Sequence, residues 1–510
     1  MENRSFYYFK SHTLPKWTEF FDSDLWSEKI MQLSHSEPAI KHGILALSSM
    51  HEKFETTMVS SKTDNFAFGQ YMEAVKYSNS LINGHEQHGR DVEKVLIACI
   101  IFTCYENLAG NYRAANMHLE SGLRILAQHR RNLAEHVQTT AELESIADVL
   151  YRFDLQAMTF SDNASPYDYG FDHPPECPRI PPIYTKNSMA RNDLVGLLRC
   201  MMWISGVANI NPQAAENAIW LRIYTELIGA FDSWDRTFDL YQKNVPRHEQ
   251  GDPKIYAGNT LLKMYSILAR TIVAAGAGLR TEMTWDAFVD SFKTIVDLAE
   301  TLPILTQPVS SPPASRTPSP MLPVSSPYRN IAPNPATVTA TPSPPLGTST
   351  LVFPASPSPP PSEPTHQQNA QQPRRTPSRP KNNPTSFSPS FELSPIVPLF
   401  VAACRCRDPI LRRRAIALLL NCRRREGVWD SFGAGMVALQ CVKLEEGMDE
   451  MVDLGSMNWL PLNERFRQCA DVVEKRRVQD VFVSVNMKEG SIGVNYLMRN
   501  GDALDRVLKF

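Results

Sequence analysis

Residues 92–126, VEKVLIACIIFTCYENLAGNYRAANMHLESGLRIL, decide how the chain is read. Val92 to Leu108 is a strongly apolar helical stretch stopped by Gly110, a residue that ends helices cheaply because it tolerates a left-handed backbone. Beyond it, Tyr112, Ala115, Leu119, Leu123 and Leu126 recur every three or four positions, which puts them on one helical stripe. A glycine turn followed by the small residues Ala114 and Ala115 is how tetratricopeptide-like helix pairs are written, but no period of roughly 34 residues continues on either side. The segment therefore reads as one antiparallel helix pair within an irregular helical stack.

Working outward, Ser36 and Pro38 start a helix whose Ile40, Ile44, Leu47 and Met50 share a face. A second runs from about Ala67 to Ile82. The pattern breaks from Asp154 to Pro182, predicting a long surface loop, and resumes at Asp193–Ser205, Ala214–Lys243, Asn259–Ala277 and Thr284–Leu302. Further helices are predicted at Pro398–Arg405, Pro409–Cys422, Ser431–Glu446 and Leu462–Ala470. The last stretch differs. Val478 to Val485 alternates, Glu489-Gly490 turns, and Ile492 to Leu497 alternates again, the mark of a β-hairpin.

Most of the 39 prolines in the 510 residues fall between Thr306 and Pro395. That stretch is poor in Leu, Ile, Val and Phe and cannot bury enough apolar surface to offset the entropy of ordering. The expected fold is all-α: an irregular multi-helix bundle or stack with a short C-terminal β-hairpin and a long disordered Pro/Ser-rich insertion. Residues 1–305 form its first part, 306–395 the insertion, and 396–510 the second part. The other arrangement, a linker between two independent domains, stays open.

Lys+Arg 52 against Asp+Glu 54 leaves a net charge of −2, without the basic excess of a compact DNA-binding domain. The longest apolar run, Val95 to Cys104, is half a membrane span. Nine scattered cysteines suit a reduced, intracellular protein rather than a disulfide framework. Neither a G-x-S-x-G elbow, a phosphate loop ending in Gly-Lys-Ser/Thr, nor a G-x-G-x-x-G turn after a strand occurs. His85-Glu86-Gln87-His88 has its second histidine one residue too early for a zinc-protease helix. His35, His42 and His51 are spaced too widely to meet at one metal from a single helix. Cys404-Arg405-Cys406 lacks the companion pair that closed tetrahedral zinc needs.

The densest chemistry is basic. Arg405, Arg407, Arg412, Arg413, Arg414, Arg423, Arg424 and Arg425 surround the apolar helix Ile410–Leu420. They suit a basic patch for a partner, nucleic acid or nuclear import, or a solvated face. Arginine forks equally suit carboxylate clamps between helices, with Glu445 and Glu446 among the acidic partners. Within the insertion, Ser-Pro and Thr-Pro dipeptides make Thr317, Ser319, Ser343, Ser358 and Thr376 candidate phosphorylation sites, and Arg374-Arg375-Thr376 with Arg379 and Lys381 forms a weak import motif.

Three blocks resemble the regulatory region of the fungal-specific transcription factor family. The first runs from Phe20-Phe21-Asp22-Ser23-Asp24-Leu25-Trp26 through Ser34-His35-Ser36-Glu37-Pro38 to Met50-His51-Glu52. The second runs from Cys104-Tyr105-Glu106-Asn107 through Gly110-Asn111-Tyr112 to His118 and Arg124. The third runs from Pro395 through Cys404-Arg405-Cys406-Arg407-Asp408-Pro409 and Arg412-Arg413-Arg414 to Trp429-Asp430-Ser431. The resemblance implies a helical regulatory domain, non-enzymatic and nuclear, in a transcription regulator.

Family members place six closely spaced cysteines, holding two zinc ions, ahead of this region. No such cysteines precede the first block here. The expectation is thus a regulator without its own zinc cluster: no resident cofactor, zinc by association only, and doubtful DNA binding for this chain alone. Either the gene product is incomplete or the chain is a cluster-less relative. Implied partners are other transcription regulators or a second copy of the chain, with a small effector between the helices and no membrane. Two other readings are an enzyme or small-molecule-binding protein on the same scaffold, in a specialised-metabolite pathway, and a cytoplasmic helical adaptor.

Overall fold

A computed structural model describes residues 1–56, 61–83, 89–132, 140–160, 174–211, 213–245, 249, 251–276, 281–306, 388–422, 424–448, 464–486 and 490–509. The Pro-rich stretch up to residue 387 and the phosphorylation candidates within it lie outside these, as do His85, His88 and Arg423.

Three short helices open the chain: α1 (Glu2–Tyr8), α2 (Leu14–Trp17) and α3 (Ile30–Ser36). Five longer ones follow: α4 (Pro38–Thr56), α5 (Ser61–Asn83), α6 (Gly89–Ala109), α7 (Tyr112–Asn132) and α8 (Ala141–Thr159). The helix pair anticipated at 92–126 is α6 and α7. Gly110 turns between them at φ 76°. Its N–H donates to Asn107 O and that of Asn111 to Glu106 O, so the turn satisfies carbonyls that the end of α6 leaves over.

After residue 173 come α9 (Asn187–Ile210), α10 (Ala218–Lys243), α11 (Pro253–Gly276), a tight helical turn Glu282–Phe288, α12 (Val289–Glu300) and α13 (Pro303–Thr306). Asn217 starts α10 by accepting from the N–H groups of Ile219 and Trp220. Beyond residue 387 the order is β1 (Ser388–Ser390), α14 (Ile396–Arg405), α15 (Pro409–Cys422), β2 (Arg424–Glu426), β3 (Trp429–Asp430), α16 (Ser431–Glu446), β4 (Val478–Asn486), β5 (Ser491–Met498) and β6 (Ala503–Lys509). β1 pairs parallel with β2, and β2 antiparallel with β3. The last three strands form an antiparallel sheet in the order β4-β5-β6. Tyr496 pins that sheet to α16 through a hydrogen bond from its hydroxyl to Val437 O at 2.9 Å.

Apolar side chains form two large clusters. One gathers α4 to α8 around Trp17, Trp26, Ile44 and Phe102. The other joins α9 to α12 with α14 to α16 and the C-terminal sheet. Residues before and after the Pro-rich stretch thus share one core. α8 contributes to both clusters, and so does the extended segment after β1. Phe391 lies in the first and Leu393 in the second, because successive extended residues point to opposite faces. Phe391 meets the Trp17 ring edge-on at 4.8 Å.

Several expectations change. The predicted loop from Asp154 begins later, because Asp154–Thr159 completes α8. Asp154 and Gln156 looked like loop letters but are buried, paired with Arg199 and with Glu392 O. In place of the helix expected over Leu462–Ala470, the described residues 464–470 make turns leading into a single helical turn, Cys469–Asp471, capped by Gln468. The C-terminal hairpin is present and gains a third strand, β6. Of the residues assigned to the insertion for their Ser and Pro content, 389–394 are buried and Ser388–Ser390 pair with β2.

Gly258 lies where α11 crosses the start of the chain. A Cβ there stands 2.7 Å from Phe20 O and 2.8 Å from Asn187 Nδ2. In an exposed helix, Gly→Ala gains about 1 kcal/mol. Here the clash, with a typical overpacking cost of about 1–3 kcal/mol, outweighs that gain. Gly258→Ala should lower stability by about 1 kcal/mol in urea unfolding, and a higher midpoint would refute the close approach.

Candidate functional site

Most of the arginines picked out from the sequence point inward. Asp408 caps α15 by accepting from the N–H groups of Ile410 and Leu411. That corner turns Arg407 and Arg412 toward Glu445 on α16. Arg407 Nη2 donates to Glu445 Oε1 at 3.0 Å and to Glu282 Oε2 at 3.1 Å. Arg412 Nη2 donates to Glu445 Oε2 at 2.8 Å, and the Val478 N–H to Oε1 at 2.9 Å. All three charged side chains are fully buried. Burial alone would raise the Glu445 carboxyl; Arg407 and Arg412, with the Val478 N–H, outweigh it and hold the group below its ordinary range.

Around this centre Arg405 reaches Glu282 and Gln479 O. Arg413 forks onto Glu446 and Arg414 onto Glu300. Arg424 bridges Glu426 and Glu19, both at 2.6 Å. The clamp arrangement is the one found, and the described members form no exposed basic face: five are buried and Arg413 and Arg414 are partly so. Sequence reading missed several buried pairs, among them Arg477 forked on Asp286 and Glu392 held between Arg152 and Arg191. A clue lay in Ser390-Phe391-Glu392-Leu393-Ser394, where two large apolar residues flank a charge inside low-complexity text.

Arg425 differs from all of these. It is 2% exposed, and no carboxylate among the described residues pairs with it. Nη2 donates to Asn107 O at 2.9 Å and to Tyr112 OH at 2.5 Å, while Nε is buried without an acceptor. The Phe54 ring lies 5.1 Å from the guanidinium carbon.

Arg425 also lines a pocket of about 610 Å³, counted out through its open mouth, between α7 and α8, α14, the β2–β3 turn, α16 and the faces of β4 and β5. Phe160, Phe400 and Trp429 line it together with Val437, Val481, Val483 and Ile492. Trp429 is fixed edge-on to Phe160 at 5.7 Å, and its Nε1 donates to Thr159 Oγ1 at 3.1 Å. The polar members are Arg425, Tyr112 and Asp430. Asp430 Oδ1 accepts from Gly433 N–H at 2.7 Å and so caps α16, at the helix end that favours negative charge.

Titratable clusters elsewhere sit in the core. Tyr71 donates to Glu106 at 2.7 Å and hydrogen-bonds with His118 at 3.1 Å; burial holds His118 down to about 4. His51 lies between Thr13 and Glu55, His42 bonds Gln70, and His35 packs on Phe6. Cys404 lies against Cys441 and Cys406 against Cys469, so the two face different partners. Among the described residues no group of three or more His, Cys, Asp and Glu is arranged to hold a metal ion.

Residues 5–198 match the family model described as the fungal specific transcription factor domain. Two of the three resembling blocks fall inside that match, and the block from Pro395 falls beyond it. The chain is similar to the aspercryptin biosynthesis cluster-specific transcription regulator atnN of Emericella nidulans, 27% identical over 495 residues, covering 90% of this chain and 77% of that protein. No solved structure matches.

The Glu445 centre yields a stability test with a defined sign. A carboxyl held below its unfolded value of 4.5 contributes stability that is present above that pH and lost as pH falls through the folded value. Glu445→Gln leaves two buried guanidinium groups under-compensated, so urea unfolding at pH 7 should show a loss of about 3–5 kcal/mol. The variant should also depend less on pH below 4.5 than the parent. Equal acid sensitivity in both would remove Glu445 from the centre of the lattice.

Proposed function

From a chain whose residues 5–198 match the fungal specific transcription factor domain, we propose a transcription regulator of a specialised-metabolite gene cluster whose output is set by a small effector in the apolar pocket. The gene-cluster role is taken from the similarity to atnN. The observation that carries the effector role is the composition of the pocket wall. Tyr112 and Phe160 come from the matched domain, whereas Phe400, Trp429, Val437 and the β4–β5 face come from beyond residue 387. A ligand filling the pocket touches both parts, so binding energy that differs between two arrangements of those parts shifts their balance. The apolar lining with a few convergent polar groups is what small-molecule sites use.

The regulator acts in the nucleus. Its nine cysteines include no closely spaced run of six, so we assign the reading of DNA to a partner regulator. The buried, carboxylate-paired state of Arg407, Arg412 and Arg424 supports this, since phosphate contact needs guanidinium groups that reach solvent.

Deletion of the gene should silence a contiguous block of biosynthetic genes in a transcript profile of the producing organism. Unchanged transcripts across the genome would overturn the regulatory role. In gel shift, the purified 510-residue chain should show no sequence-selective binding to promoters of that block. Selective, salt-sensitive binding by the chain alone would return DNA reading to it.

A further inference from the structure

The geometry points to Arg425 as the anchor of a carboxylate site: the pocket takes an amphipathic organic acid, its anion against the guanidinium and its hydrocarbon body along Trp429, Phe400 and the valines of β4. This rests on the effector reading of the same pocket and adds the chemical class of the effector.

The first argument is charge. Arg152, Arg191, Arg405, Arg407, Arg412, Arg424 and Arg477 are the other buried arginines described, and each lies within ion-pair distance of a carboxylate. Removing a cation from water without a counter-charge costs several kcal/mol, so a buried guanidinium with only neutral acceptors marks a place where an anion belongs. Of its five N–H groups, Arg425 uses the two on Nη2, for Asn107 O and Tyr112 OH. Among the described residues Nε has no acceptor and Nη1 makes no hydrogen bond.

The second argument is position. Arg425 is fixed by β2, whose pairing with β1 and β3 sets its register, and by the rings of Phe54 and Tyr112 on either contact. A side chain so held cannot leave to find solvent, and it already lines the cavity. Asp430, its cross-strand neighbour, is the acidic group in the same wall, but its Oδ1 is committed to the start of α16.

The third argument is the apolar remainder. Aliphatic and aromatic side chains make up the rest of the lining, which excludes a sugar or a nucleotide as the body of the ligand and favours a hydrocarbon chain or ring. An organic acid satisfies both ends at once. A neutral lipid or alcohol fills the apolar walls and leaves the guanidinium unpaired.

Thermal-shift and Trp fluorescence titrations of the full chain with sodium decanoate, against 1-decanol as the uncharged probe, test this directly. Decanoate should raise the midpoint in a concentration-dependent way and perturb Trp emission, with 1-decanol at least about tenfold weaker. Arg425→Met should lower decanoate affinity about 10- to 100-fold, the range of a charged hydrogen bond, while leaving 1-decanol unchanged. Val483→Trp, at the partly exposed side of the pocket, should block both probes and leave Arg425 untouched. Equal binding of the two probes overturns anion recognition; decanoate binding that survives Val483→Trp overturns the location; no response to decanoate overturns the site. None of these outcomes bears on whether deletion of the gene silences a biosynthetic block, so the regulatory reading stands or falls separately.

Discussion

One carboxylate sets the terms for the second half of the molecule. Glu445 receives Arg407, Arg412 and the Val478 N–H, and Glu282 shares Arg407 with it. Through these bonds the α14–α15 corner, α16, the turn before α12 and the first strand of the C-terminal sheet are held in one register. Such groups are not there for net stability alone, because desolvation offsets much of their attraction. Their consequence is directional. An apolar interface tolerates small slips, whereas a buried fork on a carboxylate is satisfied in one arrangement only. The pocket inherits that precision, since α14, α16 and β4 are three of its walls.

The helical architecture was legible because it rests on periodicity. The stripe Tyr112, Ala115, Leu119 and Leu126 is the face that α7 buries or half-buries, and Gly110 makes the turn its position suggested. Long-range pairing was not legible. Nothing around Arg407 names Glu282, more than a hundred residues away, as its partner. Local charge density suggested a surface patch, because charged residues are seldom fully buried unless paired. The pairs existed, but only the fold brings them together. The same blindness hid what sets Arg425 apart from Arg424 beside it, the lack of a carboxylate partner among the described residues.

Segment 391–393 shows how little sequence a tertiary junction requires. Phe391 enters one apolar cluster and Leu393 the other, while Glu392 between them takes Arg152 of α8 and Arg191 of α9. Three consecutive side chains thereby tie the chain after the Pro-rich stretch to two helices that precede it. Composition averaged over a window treats them as more low-complexity text. Their individual alternation carries the information.

That junction also fixes a schedule. Phe391 packs edge-on against Trp17, so the N-terminal cluster lacks that ring for as long as the ribosome has not reached residue 391. From the end of α8 at Thr159, translation at about 5–20 residues per second reaches Phe391 after roughly 12–46 s. Until then Trp17 is without one of the rings that cover it in the finished fold.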